Sequence, residues 1–301
     1  MSSVLYDAQG PHAKRRNILF NVVFLAVFAA LLWWVFSTLK EKGQLEWVLW
    51  KPFFSGSEAW STYIWPGLEN TLKAAALSVI IALPLGATLG IARLSDHAWV
   101  RVPAAVVVEF FRSIPVLALM IFGLALFAEY TNVDSDDRPL YAVVTGLVLY
   151  NASVLAEIVR SGILALPRGQ AEGAMAIGLR KGQVMRVILL PQAVTAMLPA
   201  IVSQLVVVVK DTALGGAVLT FPELLSSANT MSAYYGANTI ASFTVVAVIY
   251  IALNFALTSF ASWLERRLRR SKRSTGTVID METVDNANAA ETRTNPKTEK
   301  L

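Results

Sequence analysis

The stretch PRGQAEGAMAIGLRKG, Pro167–Gly182, separates two long apolar segments and is itself polar, glycine-rich and charged with both signs. Its proline suits the start of a helix, and Gly178 suits its end. Between them Ala171, Ala174 and Met175 have helical spacing, so a short helix would have one apolar face. Two interpretations stay open from these residues. The helix either rests on a membrane surface or docks in a groove of a cytoplasmic partner.

The composition of the whole chain indicates an integral membrane protein. Of its 301 residues, 55% are hydrophobic and 16% are charged, whereas soluble domains carry about a quarter charged residues. The chain has no cysteine, which excludes disulfides and thiol nucleophiles. Its two histidines, His12 and His97, fall in hydrophilic stretches, so no metal site is predicted. The net charge of +5 comes from loops and segment ends, as membrane topology requires, and predicts no nucleic-acid partner.

Hydropathy predicts six membrane-spanning helices, because about 20 apolar residues suffice to cross the hydrocarbon. The predicted spans are 18–39, 66–92, 103–129, 140–163, 187–209 and 240–263. The predicted domains are a cytoplasmic N-terminus at 1–17, a first span with an outer loop at 18–60, a core at 61–265, and a basic segment with a disordered cytoplasmic tail at 266–301. Within 213–239 we expect a short interfacial or re-entrant helix on the outer side.

The positions of lysine and arginine predict the orientation. These residues precede the first span, follow the last, and lie in the connections after the second and fourth spans, whereas the connection at 129–138 is poorer in them and partly acidic. The positive-inside rule then places both termini and the 167–182 loop in the cytoplasm.

The run GQAEGAMAIGLRKGQVMRVILLPQA, Gly169–Ala193, resembles the loop shared by permease subunits of ABC importers, the EAA loop. That pattern is Glu-Ala-Ala, three residues, a glycine, and a spacer ending in Ile-x-Leu-Pro. This chain has Gly173 for the first alanine, which weakens the helix by about 1 kcal/mol without changing the spacing. In that family the loop is a coupling helix that fits a cleft of the ATPase subunit. The resemblance implies this role for Gly169, Gln170, Glu172, Ala174 and Gly178.

Three more runs resemble the polar amino-acid branch of these permeases. They are RSIPVLALMIF (112–122), YNASVLAEIVRSGILALPRGQ (150–170) and LPAIVSQLVVVVKDTALGG (198–216). The long first span and its Trp-rich outer loop resemble glutamate permeases of high-GC Gram-positive bacteria. The resemblance implies an all-α membrane protein with six transmembrane helices and the type I ABC importer permease (MetI-like) fold, in a bacterial cell membrane.

The resemblance also implies partners. They are a dimer of ABC ATPase subunits, a second permease subunit that is a copy or a homologue, an extracellular substrate-binding protein and the lipid bilayer. The chain has no G-x-x-x-x-G-K-[ST] phosphate loop. ATP and Mg would therefore be held by the partner ATPase, and no cofactor by this chain.

Two acid–base pairs lie inside predicted spans, where ionisable residues are costly and usually functional. Glu109 and Arg112 are three residues apart, as are Glu157 and Arg160, so each pair would share a helix face. We interpret Glu109, Glu157 and Arg160 as parts of structural ion pairs, and a functional role stays open for both pairs. The second pair lies close to the 167–182 loop and would orient the coupling helix.

A set of polar residues in the third to fifth spans could bind a free amino acid. Its carboxylate needs a cation or a helix N-terminus, and its ammonium group needs an acceptor. For the Lys210–Thr212 run, a helix end at the membrane interface is the alternative. The predicted pathway residues are Arg112, Ser113, Asn151, Ser153, Gln204, Lys210, Asp211 and Thr212.

The predicted function is therefore the permease subunit of an ATP-driven importer for a polar amino acid, with glutamate or a related one favoured. One alternative is a gradient-driven secondary transporter, although six spans without an evident repeat argue against many such folds. The other is a membrane-embedded enzyme. Its candidates are the two carboxylate–arginine pairs, and arginine is poor at proton transfer.

Overall fold

In the computed structural model, which describes residues 11–236 and 238–272, the described chain consists of helices and short connections, with no strand. Two π-helical turns, Ala59–Ile64 and Val184–Leu189, run directly into α3 and α9. The helices are α1 Pro11–Glu41, α2 Trp47–Ser55, α3 Trp65–Ala92, α4 Ala98–Ser113, α5 Val116–Tyr130, α6 Arg138–Leu164, α7 Arg168–Ala176, α8 Lys181–Gln183, α9 Leu190–Val218, α10 Leu224–Tyr234 and α11 Thr239–Lys272.

Within the described residues, five helical segments are long and apolar enough to cross a membrane. They are His12–Glu41, Ala59–Ala92, Arg138–Leu164, Lys181–Val218 and Thr239–Trp263. The pair α4 and α5 gives a sixth candidate, but these helices meet at 99°. The predicted span at 103–129 is therefore a bent pair of helices and not one straight helix.

The break between α4 and α5 has a local cause in the sequence Ser113–Ile114–Pro115. Proline has no N–H to donate and forces the preceding residue out of the helical region. Accordingly Ile114 is extended, with ψ of 133°, and Pro115 has φ of −57° and ψ of 133°. Hydropathy does not register this break because the residues on both sides are apolar.

Several predicted boundaries also differ from the structure. Helix α1 begins at Pro11, within the predicted N-terminal segment, and the predicted outer loop contains α2. The fifth span continues to Val218, past its predicted end at 209. The short helix expected within 213–239 is α10. Helix α11, which contains the sixth predicted span, extends to Lys272. The tail predicted beyond it lies outside the described residues.

The first of two compact units comprises the described residues up to Arg160 together with those of Gln204–Phe255. In it α3 and α6 approach closely where α3 has glycine. A methyl group on Gly86 would lie 2.6 Å from the Cβ of Leu155, and one on Gly90 would lie 2.6 Å from the carbonyl oxygen of Ala156. Small residues at such positions let helix backbones come together.

A separate apolar core of this unit joins α2, the first π-helical turn, α10 and α11. Its largest buried members are Phe53, Ile64, Leu224, Met231 and Val246. This core fixes α10 although the helix is too short to span a membrane.

The second unit comprises Ser161–Ser203 and the described residues from Ala256 onward. In it α7 packs on the π-helical turn Val184–Leu189. Ala174, Val184, Ala193 and Met197 are buried, so the unit has a small apolar core beneath the loop that carries α7.

Candidate functional site

The break between α4 and α5 borders a cleft in the first unit. This cleft has a volume of about 620 Å³ and is lined by the break, α6 and α9. Four predicted pathway residues line it, namely Arg112, Ser113, Gln204 and Asp211. The other lining residues are Ile114, Pro115, Val116, Tyr150, Val154 and Val207.

The cleft contains groups suited to both charges of a zwitterion. Helix α5 begins there at Val116, and a helix N-terminus has unpaired N–H groups and a positive dipole end that favour anions. The Arg112 side chain, 39% exposed, adds a guanidinium group. Asp211 on α9 supplies a carboxylate. A carboxylate and an ammonium group of one small molecule can thus both find partners in this cleft.

Asn151 acts on the cleft through Gln204 and does not line it. The Gln204 Nε2 donates a hydrogen bond to Asn151 Oδ1 at 2.6 Å, and Asn151 Nδ2 donates to the carbonyl of Leu147 at 2.8 Å. Asn151 is completely buried. Its amide therefore orients the Gln204 side chain on the cleft wall.

The remaining predicted pathway residues lie elsewhere. The hydroxyl groups of the buried residues Ser153 and Thr212 donate to carbonyls of their own helices, at Leu149 (2.9 Å) and Val209 (2.7 Å). Lys210 lines a different, mostly apolar pocket of about 410 Å³ beside α10 and α11. The structure does not bring these three side chains to the cleft. The alternative of a helix end at Lys210–Thr212 is wrong, because α9 continues to Val218.

The two predicted acid–base pairs form, and a third arginine joins them. Glu109 and Arg112 are 2.7 Å apart, and Glu157 and Arg160 are 2.9 Å apart. Arg93, the residue after α3, lies 3.0 Å from Glu109 and 2.6 Å from Glu157. We name these five residues the charge cluster. From the sequence, Arg93 is one of the basic residues after the second span that predict membrane orientation. Its two carboxylate partners are not predictable, because contacts between distant helices leave no local pattern.

Glu223, which is not among the residues predicted from the sequence, is a completely buried carboxylate between α9 and α10. It caps α10 by accepting hydrogen bonds from the N–H groups of Leu225 (2.7 Å) and Ser226 (2.8 Å), and it accepts another from the Tyr250 hydroxyl (2.6 Å). Burial raises the pKa of Glu223. A side chain at Gly216 would collide with this carboxylate. A glutamate just before an apolar helix is the available sequence signal, as an N-cap.

The 167–182 loop folds as predicted into a short helix, α7. Pro167 precedes the helix, and Gly178 follows it with φ of +90°, a value that favours glycine. The Gly178 N–H donates to Met175 O at 3.0 Å and closes the helix end. Four residues with a predicted coupling role, Gly169, Gln170, Glu172 and Gly178, are exposed.

Ala174 is the exception among the residues with a predicted coupling role. Its side chain is 5% exposed and belongs to the core of the second unit. Met175, expected on the same apolar face, is 48% exposed. The face that α7 buries is therefore narrower than its helical pattern predicts, and Ala174 anchors the helix from below.

Comparison with known proteins gives matches over most of the chain. Residues 82–270 match the family described as binding-protein-dependent transport system inner membrane component. The chain is 47% identical over 258 residues to the glutamate transport system permease protein GluD of Corynebacterium glutamicum, a match that covers 83% of this chain and 93% of that protein.

Two further matches are more distant. The glutamate/glutamine/aspartate/asparagine transport system permease protein BztC of Rhodobacter capsulatus is 34% identical over 210 residues, which cover 69% of this chain and 48% of that protein. The crystal structure of an amino acid ABC transporter with histidines has a TM-score of 0.60 and 27% identity, and the match covers 68% of this chain and 93% of that chain.

Proposed function

The chain belongs to the family of binding-protein-dependent transport system inner membrane components, and from this premise we propose that it takes up a polar amino acid, with glutamate or a close relative favoured. It is a membrane-embedded permease subunit with an all-helical ABC importer fold. Its family consists of transport components, which argues against the alternative of a membrane-embedded enzyme.

The 47% identity to a glutamate permease over 93% of that protein's length carries the substrate proposal. The family match at 82–270 includes the cleft, the charge cluster and the α7 loop. Similarity therefore extends over the parts of the chain that would bind a substrate and receive mechanical work.

In the proposed transport path, the substrate occupies the cleft between the α4–α5 break, α6 and α9. The N-terminus of α5 and Arg112 bind its α-carboxylate. Asp211 accepts from its ammonium group, and Gln204, oriented by Asn151, hydrogen-bonds to one of its polar ends. The α-amino and α-carboxyl groups occur in every amino acid, so these contacts define the class, and the side-chain preference rests on the relatives.

In the proposed coupling step, α7 docks on a separate ATPase subunit that binds ATP and Mg. The exposed residues Gly169, Gln170, Glu172 and Gly178 provide the contact surface, and Gly169, Gly173 and Gly178 have open space around them. Closure of the ATPase dimer would move the α7 helices of two permease subunits together. The resulting alternation between outward and inward exposure would carry the substrate across.

The proposed assembly has two permease subunits, identical or homologous, two ATPase subunits and an extracellular substrate-binding protein. Both termini and the α7 loop lie in the cytoplasm, as the distribution of lysine and arginine supports. Nucleotide binding by a partner subunit is a property of this family of importers.

The cleft assignment is tested by transport assays on the reconstituted complex. Asp211→Asn removes the proposed acceptor for the ammonium group, so the KM for the amino acid should rise about ten- to hundredfold, the value of a charged hydrogen bond. Lys210→Gln on the neighbouring position of α9 is the matched control and should leave KM unchanged. Equal effects of the two variants would contradict the assignment.

The coupling assignment is tested with Glu172→Lys and Gly178→Asp. Both variants alter the exposed surface of α7 and should separate ATP hydrolysis from transport, while the protein still inserts in the membrane. Normal transport by both would show that α7 is not the coupling element. Uptake by the wild type that persists after ATP depletion would instead favour a gradient-driven transporter.

A further inference from the structure

In the charge cluster, a single arginine connects two ion pairs that would otherwise be independent. Glu109 and Arg112 belong to α4, whereas Glu157 and Arg160 belong to α6. Arg93, from the end of α3, uses one terminal nitrogen for each carboxylate: NH1 binds Glu157, and NH2 binds Glu109. Both contacts between different helices in the cluster therefore pass through a single guanidinium group.

We propose that Arg93 is a positioning residue of the transport cycle, which keeps α4 and α6 in register and so links Arg112 at the cleft to the end of α6 that leads into the α7 loop. This inference rests on the proposed function as an ATP-driven permease. Arg93 contacts neither substrate nor ATPase and acts through Glu109 and Glu157.

The position of Arg93 is fixed by its helix. Helix α3 ends at Ala92 and packs directly on α6 at Gly86 and Gly90, where no side chain separates the helices. The Arg93 side chain is 10% exposed. A planar guanidinium that is held by close helix packing and binds two carboxylates leaves little freedom to either. A lysine has one ammonium group and cannot reproduce the two-sided geometry.

The two carboxylates connect different parts of the machinery. Glu109 also binds Arg112, which lines the cleft. Glu157 also binds Arg160, near the end of α6 at Leu164, shortly before Pro167 begins the α7 loop. A displacement of the end of α6 would therefore reach Arg112 through Glu157, Arg93 and Glu109 in turn.

The balance of charges in the cluster predicts that Arg93 can be replaced without unfolding the protein. The cluster contains three arginines and two glutamates, and each glutamate has an arginine partner on its own helix. When Arg93 is lost, each carboxylate in the cluster therefore still has a cation. A carboxylate left without a cation is the usual cause of a large loss of stability, and that situation does not arise here. What is lost is the link between helices, so Arg93→Gln should insert and assemble.

The experiment measures ATP hydrolysed per amino acid imported in proteoliposomes that contain the complete transporter. For Arg93→Gln, ATP hydrolysis should continue, and the ratio of ATP hydrolysed to amino acid imported should rise at least about twofold. A change of this size is typical of residues that modulate coupling between two sites. Arg93→Lys should give a smaller rise. The matched control is Arg101→Gln, because Arg101 binds the Ser95 carbonyl in the same α3–α4 connection and lies outside the charge cluster. Its ratio should equal that of the wild type.

A ratio unchanged in Arg93→Gln would overturn the inference, as would an equal rise in Arg101→Gln. If Arg93→Gln fails to assemble, the ratio in Arg93→Lys decides: a rise supports the positioning role, and the wild-type value overturns it. Failure of the proposed function has a different signature, since wild-type uptake would then be independent of ATP.

Discussion

The close contact of α3 with α6 predicts that glycine-to-alanine substitution has a less favourable effect on stability at Gly86 than at Gly173. Gly86→Ala places a methyl group 2.6 Å from the Cβ of Leu155 and 2.8 Å from the carbonyl oxygen of Ala152. Neither atom can rotate away, because the carbonyl oxygen belongs to the backbone and the Cβ is bonded directly to its own Cα. The helices must therefore separate. Gly173→Ala in α7 meets nothing within 4 Å.

The difference between the two variants isolates the packing cost. Both gain helix propensity, about 1 kcal/mol for glycine to alanine, and this gain cancels in the comparison. Overpacking a well-packed site costs about 1–3 kcal/mol. With a shift of about 2–4 °C per kcal/mol for chains of a few hundred residues, Gly86→Ala should melt roughly 2–12 °C below Gly173→Ala.

The assay is thermal unfolding in one detergent, followed by the fluorescence of the chain's eight tryptophans. Expression level and monodispersity of each variant serve as the control for insertion. If Gly86→Ala melts at or above the temperature of Gly173→Ala, α3 and α6 are not in close contact, and Arg93 is not held in a fixed position.

Three further predictions concern other parts of the chain. Burial raises the pKa of Glu223, so the contribution of its protonated form to folding stability is complete below about pH 4.3 and is lost as pH rises through the raised pKa. The melting temperature should show this loss in the wild type and not in Glu223→Gln. The same pH dependence in both proteins would contradict the prediction. Asn151→Ala removes the hydrogen bond that orients the Gln204 side chain, so the KM for the substrate should rise. The free energy of unfolding should fall by about 1–3 kcal/mol. An unchanged KM would refute the orienting role. Gly178→Ala forces a side chain to positive φ at about 1–2 kcal/mol and should reduce co-purification of the ATPase, whereas Gly182→Ala in open space should not; equal recovery would count against a coupling role for the turn.

Long apolar runs made most of the fold predictable. The spans at 66–92 and 140–163 lie within Ala59–Ala92 and Arg138–Leu164 of the structure, since a bilayer demands continuous hydrogen-bonded helix from such runs. The end of α7 was predictable for a different reason, because Gly178 supplies the positive φ that closes it. Both results depend on local chemistry that a single segment carries.

Features that depend on contacts between distant segments were not predictable. The 99° bend after Ser113 creates the cleft, yet a proline inside an apolar run gives either a kink or a complete break. Lys210 and Asp211 are neighbours in sequence and line different pockets, because adjacent residues on a helix point in different directions. Arg93 reaches α4 and α6 only after the helices pack.

We propose that this permease moves an amino acid at the expense of ATP hydrolysed by a partner. The most direct measurement purifies the chain from its own host in mild detergent, identifies stoichiometric partners, and assays glutamate uptake in proteoliposomes with and without ATP. We expect a co-purifying ATPase, and uptake only when ATP is supplied on the side of the membrane where the ATPase lies. A chain that purifies alone and transports glutamate without ATP would contradict the proposed function.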